Sequence, residues 1–104
     1  MFKMIYKQSL GDATDVYDIE FDKSILVGDF AGYVLQNKTN EWGTIHIRQP
    51  GESFIDSLQS SVYLEYQKGN VVSDNLPESI CNKKIVSATA NGGWSRMDYM
   101  LIVD

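Results

Sequence analysis

The sequence predicts an α+β fold: a twisted antiparallel or mixed sheet with one main helix packed across it. Three observations carry this. Apolar and polar residues alternate with period two over residues 2–8, 16–22, 42–48 and 61–67, the signal of half-buried strands. Between them, Val27, Phe30, Ala31, Val34 and Leu35 recur at i, i+3, i+4, i+7 and i+8, the stripe of an amphipathic helix. The chain has 104 residues, 43% hydrophobic and 22% charged, enough for one core and too apolar for disorder. A chain of this size buries roughly 60–70% of its unfolded surface, so a single domain over residues 1–104 is expected.

Phe2, Met4 and Tyr6 share one face of the first strand, and Lys3, Ile5 and Lys7 share the other. Tyr17, Ile19 and Phe21 oppose Val16, Asp18, Glu20 and Asp22 on the second. Leu10 to Asp15 joins the two as a hairpin. Asp22 or Ser24 is the expected N-cap of the helix, which ends at Asn37 to Asn40. Gly28 and Gly32 lie at the margin of its stripe, and each weakens the helix by about 1 kcal/mol relative to Ala. That sacrifice fits close approach to another element, or a flat face left open for a partner. On the strand from Trp42 to Arg48, Ile45 and Ile47 point one way and Thr44, His46 and Arg48 the other. Gln49 to Ser60 reads as a long connection with one helical turn around Phe54, Ile55 and Leu58. Ser61 to Gln67 is a strand, Lys68 to Asn70 a turn, Val71 to Ser73 a short strand, and Asp74 to Asn82 a loop. Lys84–Ala90 and Arg96–Val103 close the chain as a hairpin.

Strand, strand, helix, then four or five strands resembles the element order of the β-grasp superfold, as in ubiquitin-like domains, mainly over residues 1–48 and the last strand. The resemblance implies a last strand lying beside the first. The chain ends Leu101-Ile102-Val103-Asp104, without the Gly-Gly tail of a conjugated modifier, and fold analogy carries no function.

Met100 to Val103 is apolar at every position, which suits a strand covered on both faces. One cover is the helix. Ile5, Val16, Ile85, Met100 and Ile102 have the parity of the second face. Either the segment around Phe54 and Ile55 folds over them, or they form a patch for a partner or a second copy.

The formal net charge of −5 argues against general nucleic-acid binding, which needs a basic surface. No run approaches the 18 apolar residues of a membrane span. The opening MFKMIYKQSL lacks signal-peptide organisation, and one cysteine, Cys81, allows no internal disulfide, so a cytoplasmic location is expected. No cofactor motif or catalytic signature stands out, and the chain is expected not to be an enzyme. Cys81 with the single His46 is the enzymatic alternative; a buried thiol and a solvated histidine are the plainer account. Asp18, Glu20 and Asp22 form an acidic stripe on one side of a strand. It fits cross-strand pairing with Lys3 and Lys7, or an acidic inhibitor that imitates nucleic acid. A metal there is not expected, for the stripe lacks a glycine-punctuated calcium loop.

In Asn91-Gly92-Gly93-Trp94-Ser95-Arg96-Met97-Asp98, Asn-Gly is a hairpin signal. A two- or four-residue loop pairs Val86, Ala88 and Ala90 with Met97, Tyr99, Leu101 and Val103. A one-residue slip swaps faces and is disfavoured. Arg96 and Asp98 then fall beside the apolar second face, and Trp94 sits at the tip. Trp94, Arg96, Asp98, Ile5, Met100 and Ile102 are therefore the expected partner surface, for a protein ligand or a homodimer.

Overall fold

The computed structural model describes residues 2–8, 16–37, 41–59, 62–92 and 95–104, with the backbone alone at Gln8, Asn37 and Leu58. Seven strands form one sheet: β1 (Met4–Gln8), β2 (Val16–Phe21), β3 (Trp42–Arg48), β4 (Tyr63–Gln67), β5 (Asn70–Asp74), β6 (Ile85–Gly92) and β7 (Arg96–Val103). Their order across the sheet is β1-β2-β6-β7-β3-β4-β5. Neighbours are antiparallel except β3 and β7, which run parallel. Among the described residues three helices accompany it: α1 (Val27–Asn37), α2 (Phe54–Gln59) and α3 (Glu78–Cys81). This is a small mixed α+β fold made mostly of sheet.

Local pairing follows the alternation. In the first hairpin Met4 faces Phe21 and Tyr6 faces Ile19. In the last, Ala88 faces Leu101, Ala90 faces Tyr99 and Gly92 faces Met97, the even register that parity favours. Lys68 and Gly69, at φ 51° and 81°, make the two-residue turn between β4 and β5.

Val27, Phe30, Ala31 and Val34 of α1 are buried in one core with Ile19, Ile45, Leu64, Ala88, Tyr99 and Leu101. Phe30 is its hub. Its ring stands edge-on to Tyr99 at 4.9 Å and to Phe21 at 6.0 Å between centroids. Edge-to-face pairs of this kind add about 1 kcal/mol beyond burial.

Four expectations need correction. The last strand does not lie beside the first: β7 sits between β6 and β3, and β1 pairs with β2 alone at the edge. The fully apolar run of β7 reports burial at the sheet centre, and it does so whichever strands flank it. Second, Ile85 is not on the second face. Ile85 pairs with Val103 and Ser87 with Ile102, so Val86 is the extra residue of a β-bulge. The bulge reverses parity upstream, packing Ile85 on the core and leaving Val86 exposed. Third, neither Asp22 nor Ser24 caps α1. Residues around Leu26 run extended against Lys84, the Val27 N–H donates to the Lys83 carbonyl, and Asp29 Oδ2 accepts from the Leu26 N–H at 3.1 Å. The helix start is thus set by a neighbouring segment and by a carboxylate reaching back from the first turn. Fourth, the 74–82 loop contains α3, which begins just after Pro77.

Gly28 answers to close approach. A Cβ there would lie 3.3 Å from the Cys81 carbonyl oxygen of α3. A Cβ at Gly32 would meet nothing within 4 Å.

Candidate functional site

On the sheet face away from α1, β2, β6, β7 and β3 carry a groove of about 670 Å³, bounded at one side by α2. Val16, Met100 and Phe54 supply apolar walls, and Thr44, His46, Thr89, Asn91, Arg96 and Asp98 supply polar groups. Parallel pairing of β3 with β7 assembles the polar part. It sets Trp42 opposite Arg96, Thr44 opposite Asp98, and His46 opposite Met100.

Asp98 is held from two sides. Thr44 Oγ1 donates to Oδ1 and Arg96 Nε donates to Oδ2, both at 2.7 Å. The Arg96 guanidinium lies 4.1 Å above the Trp42 ring, a cation–π contact. With the Arg96 side chain 46% exposed, the ion pair contributes no more than about 1 kcal/mol. Its effect is to fix direction. Nε is engaged, and the terminal amino groups of the guanidinium have no partner among the described residues.

His46 stacks on Tyr63, with centroids 5.5 Å apart and planes 26° from parallel. Its Nδ1 is buried without a hydrogen-bond partner. Burial pulls the imidazole pKa below its ordinary value of 6.5; the Arg96 charge acts in the same direction, and Asp98 opposes both. The ring is therefore partly buried, with Nδ1 turned away from solvent. No hydrogen bond joins it to Asp98, whose oxygens face Thr44 and Arg96, so the pair is not arranged as an acid–base relay.

The helix α2 turns two large apolar side chains outward and a serine inward. Ser57 is fully buried, donating its hydroxyl hydrogen to the Phe54 carbonyl at 2.6 Å, with the Met100 sulfur 3.7 Å from the same oxygen. Phe54 and Ile55, the large apolar side chains at its start, are 52% and 65% exposed. Glu52 anchors the entry to α2: its carbonyl accepts from Arg48 Nε and its carboxylate from the Gln49 N–H. Ser53 Oγ then accepts from the Asp56 N–H in the first turn.

Arg96, Asp98 and Met100 thus share the groove. Ile102 faces the same side, outside its lining, between Ser87 and Arg48. Ile5 is 51% exposed but sits on the edge strand β1, three strands from β7, and does not reach the groove. Trp94 lies outside the described residues. Sequence reasoning missed Thr44, Trp42 and α2 as parts of one site. Thr44 and His46 have the right parity, but the parallel partner of β3 leaves no local trace.

The acidic stripe is partly engaged. Lys7 Nζ meets Glu20 at 3.0 Å, and Asp22 Oδ1 accepts from the Lys3 N–H at 2.8 Å. Asp18 is exposed beside Thr89. Among the described residues no three His, Cys, Asp or Glu side chains gather as a metal site. Cys81 lies against Gly28 of α1, on the opposite side of the sheet from His46, so the two do not converge. Burial raises the thiol pKa, with Asp74 and Glu78 adding to it, which keeps the sulfur in its unreactive form. No described helix is long and apolar enough to cross a membrane. Comparisons with protein-family models, with curated proteins and with solved structures return no match.

Proposed function

We propose that this domain is a non-enzymatic protein-binding module, working in the cytoplasm, whose contact surface is the groove between α2 and the sheet. The observation that carries the reading is the outward placement of Phe54 and Ile55 at the start of α2, beside the buried Ser57. A helix serving only its own domain would bury Phe54 and Ile55 and expose Ser57. Here Phe54 stands at the rim of a groove whose polar groups are already oriented, with Ile55 exposed next to it in the helix. A rigid polar cluster beside half-exposed apolar anchors is the anatomy of a recognition surface.

The acidic-inhibitor reading has less support. Nucleic-acid mimicry needs a row of free carboxylates, and Glu20 is matched by Lys7.

Site-specific photocrosslinking tests the proposal. A benzoylphenylalanine replaces Phe54 in the full chain, expressed in its native host, and a control carries it at Val86, which is also exposed. A discrete protein adduct is expected at 54 and not at 86. Equal labelling at both positions, or none at 54, rejects the groove as the contact surface.

A further inference from the structure

The groove and the residues best suited to fill it lie on the same face of the same chain. Phe54 is at once part of the groove wall and half exposed, and Ile55 stands beside it. Between Ile55 and the buried Ser57 is Asp56, exposed and without an ion pair among the described residues. Across the groove is Arg96, whose terminal guanidinium nitrogens lack a partner among the described residues although Nε is taken by Asp98. An apolar knob flanked by a carboxylate thus accompanies a hollow with apolar walls at Val16 and Met100, flanked by a guanidinium that has donors left over from its pair with Asp98. A surface carrying both members of a complementary pair matches its own copy across a two-fold axis.

Resting on the reading of this face as the contact surface, we propose that the occupant of the groove is α2 of a second copy of the chain. In the resulting closed dimer, Phe54 of each protomer enters the groove of the other. Asp56 meets the partner's Arg96, so each contact is made twice. The arrangement accounts for the outward Phe54 and Ile55 and gives Arg96 an acceptor for the donors that Asp98 does not use.

Sedimentation equilibrium of the full chain, from about 1 μM to about 1 mM, is the test. A monomer–dimer equilibrium is expected. Phe54→Ser should raise the dissociation constant about tenfold or more, as loss of a central aromatic anchor does. Asp56→Arg, on the exposed side of α2, should weaken the dimer about tenfold, whereas Asp56→Glu, which keeps the carboxylate, should leave it within about twofold. Circular dichroism confirms that each variant is folded. A chain that stays monomeric throughout overturns the proposal, as does a dimer indifferent to Phe54→Ser and Asp56→Arg. If the chain is monomeric while benzoylphenylalanine at 54 captures a different protein, the dimer is refuted and the contact surface stands.

Discussion

At the scale of single residues, Gly43 shows how little room the site's support has. Tyr66 leans across it to donate from its hydroxyl to the Met97 carbonyl at 3.0 Å. A Cβ at Gly43 would run into both that carbonyl and that hydroxyl. Gly43→Ala should therefore destabilise the domain by about 3 kcal/mol, the upper part of the range for overpacking. A lowered urea midpoint with an unchanged m-value would show it. His46 sets a second expectation. Burial lowers its pKa, so the folded state releases the proton first as pH rises. The unfolded chain then binds more protons in the window just below 6.5. Stability should be full above that pH, fall as pH drops through the window, and level off below the folded value. Denaturant midpoints measured across this range should lose that slope in His46→Gln. An identical slope in the variant would assign the dependence to other groups. At the same scale, Arg96 and Asp98 were legible as neighbours from i, i+2 parity. Thr44 and Trp42 were not, because they join the cluster through a parallel partner 54 residues away.

At the scale of elements, α1 and α2 differ in what periodicity says about them. The apolar stripe of α1 matches the side it buries, so its existence and inner face were readable. Its two glycines separate on contact with the structure. A Cβ at Gly32 meets open space, whereas at Gly28 it presses on the Cys81 carbonyl oxygen. Gly32→Ala should then stabilise by about 0.5–1 kcal/mol through helix propensity, while Gly28→Ala gains nothing or loses. Thermal melts of the two single variants decide it; equal shifts would mean that α3 does not restrict Gly28. The helix α2 was legible as one turn around Phe54 and Ile55, but its orientation was not. Apolar residues in a short helix predict an inner face only when the domain's own core is their destination. The strand β6 gives the complementary case. Alternation holds from Ser87 onward and inverts at Ile85, because one extra residue at Val86 is invisible to a period-two count.

At the scale of the whole molecule, the sequence by itself determined which segments are strands, where the main helix lies, and how the first and last strand pairs, β1–β2 and β6–β7, come together. It also set the net charge of −5. These properties rest on local chemistry: the period of apolar residues, turn-forming pairs, and the penalty for slipping a register by one. Only the tertiary structure decided the order β1-β2-β6-β7-β3-β4-β5, which puts β1 at an edge and β3 parallel to β7. That choice placed Thr44 under Asp98 and Trp42 under Arg96. It also decided what covers the second face. There α2 lies over Met100 through Ser57 and leaves Phe54 outside. The physical reason is that alternation records whether a position is buried, not against what. A strand at the sheet centre has the same apolar run beside any neighbour, and the site arises from the choice of neighbour.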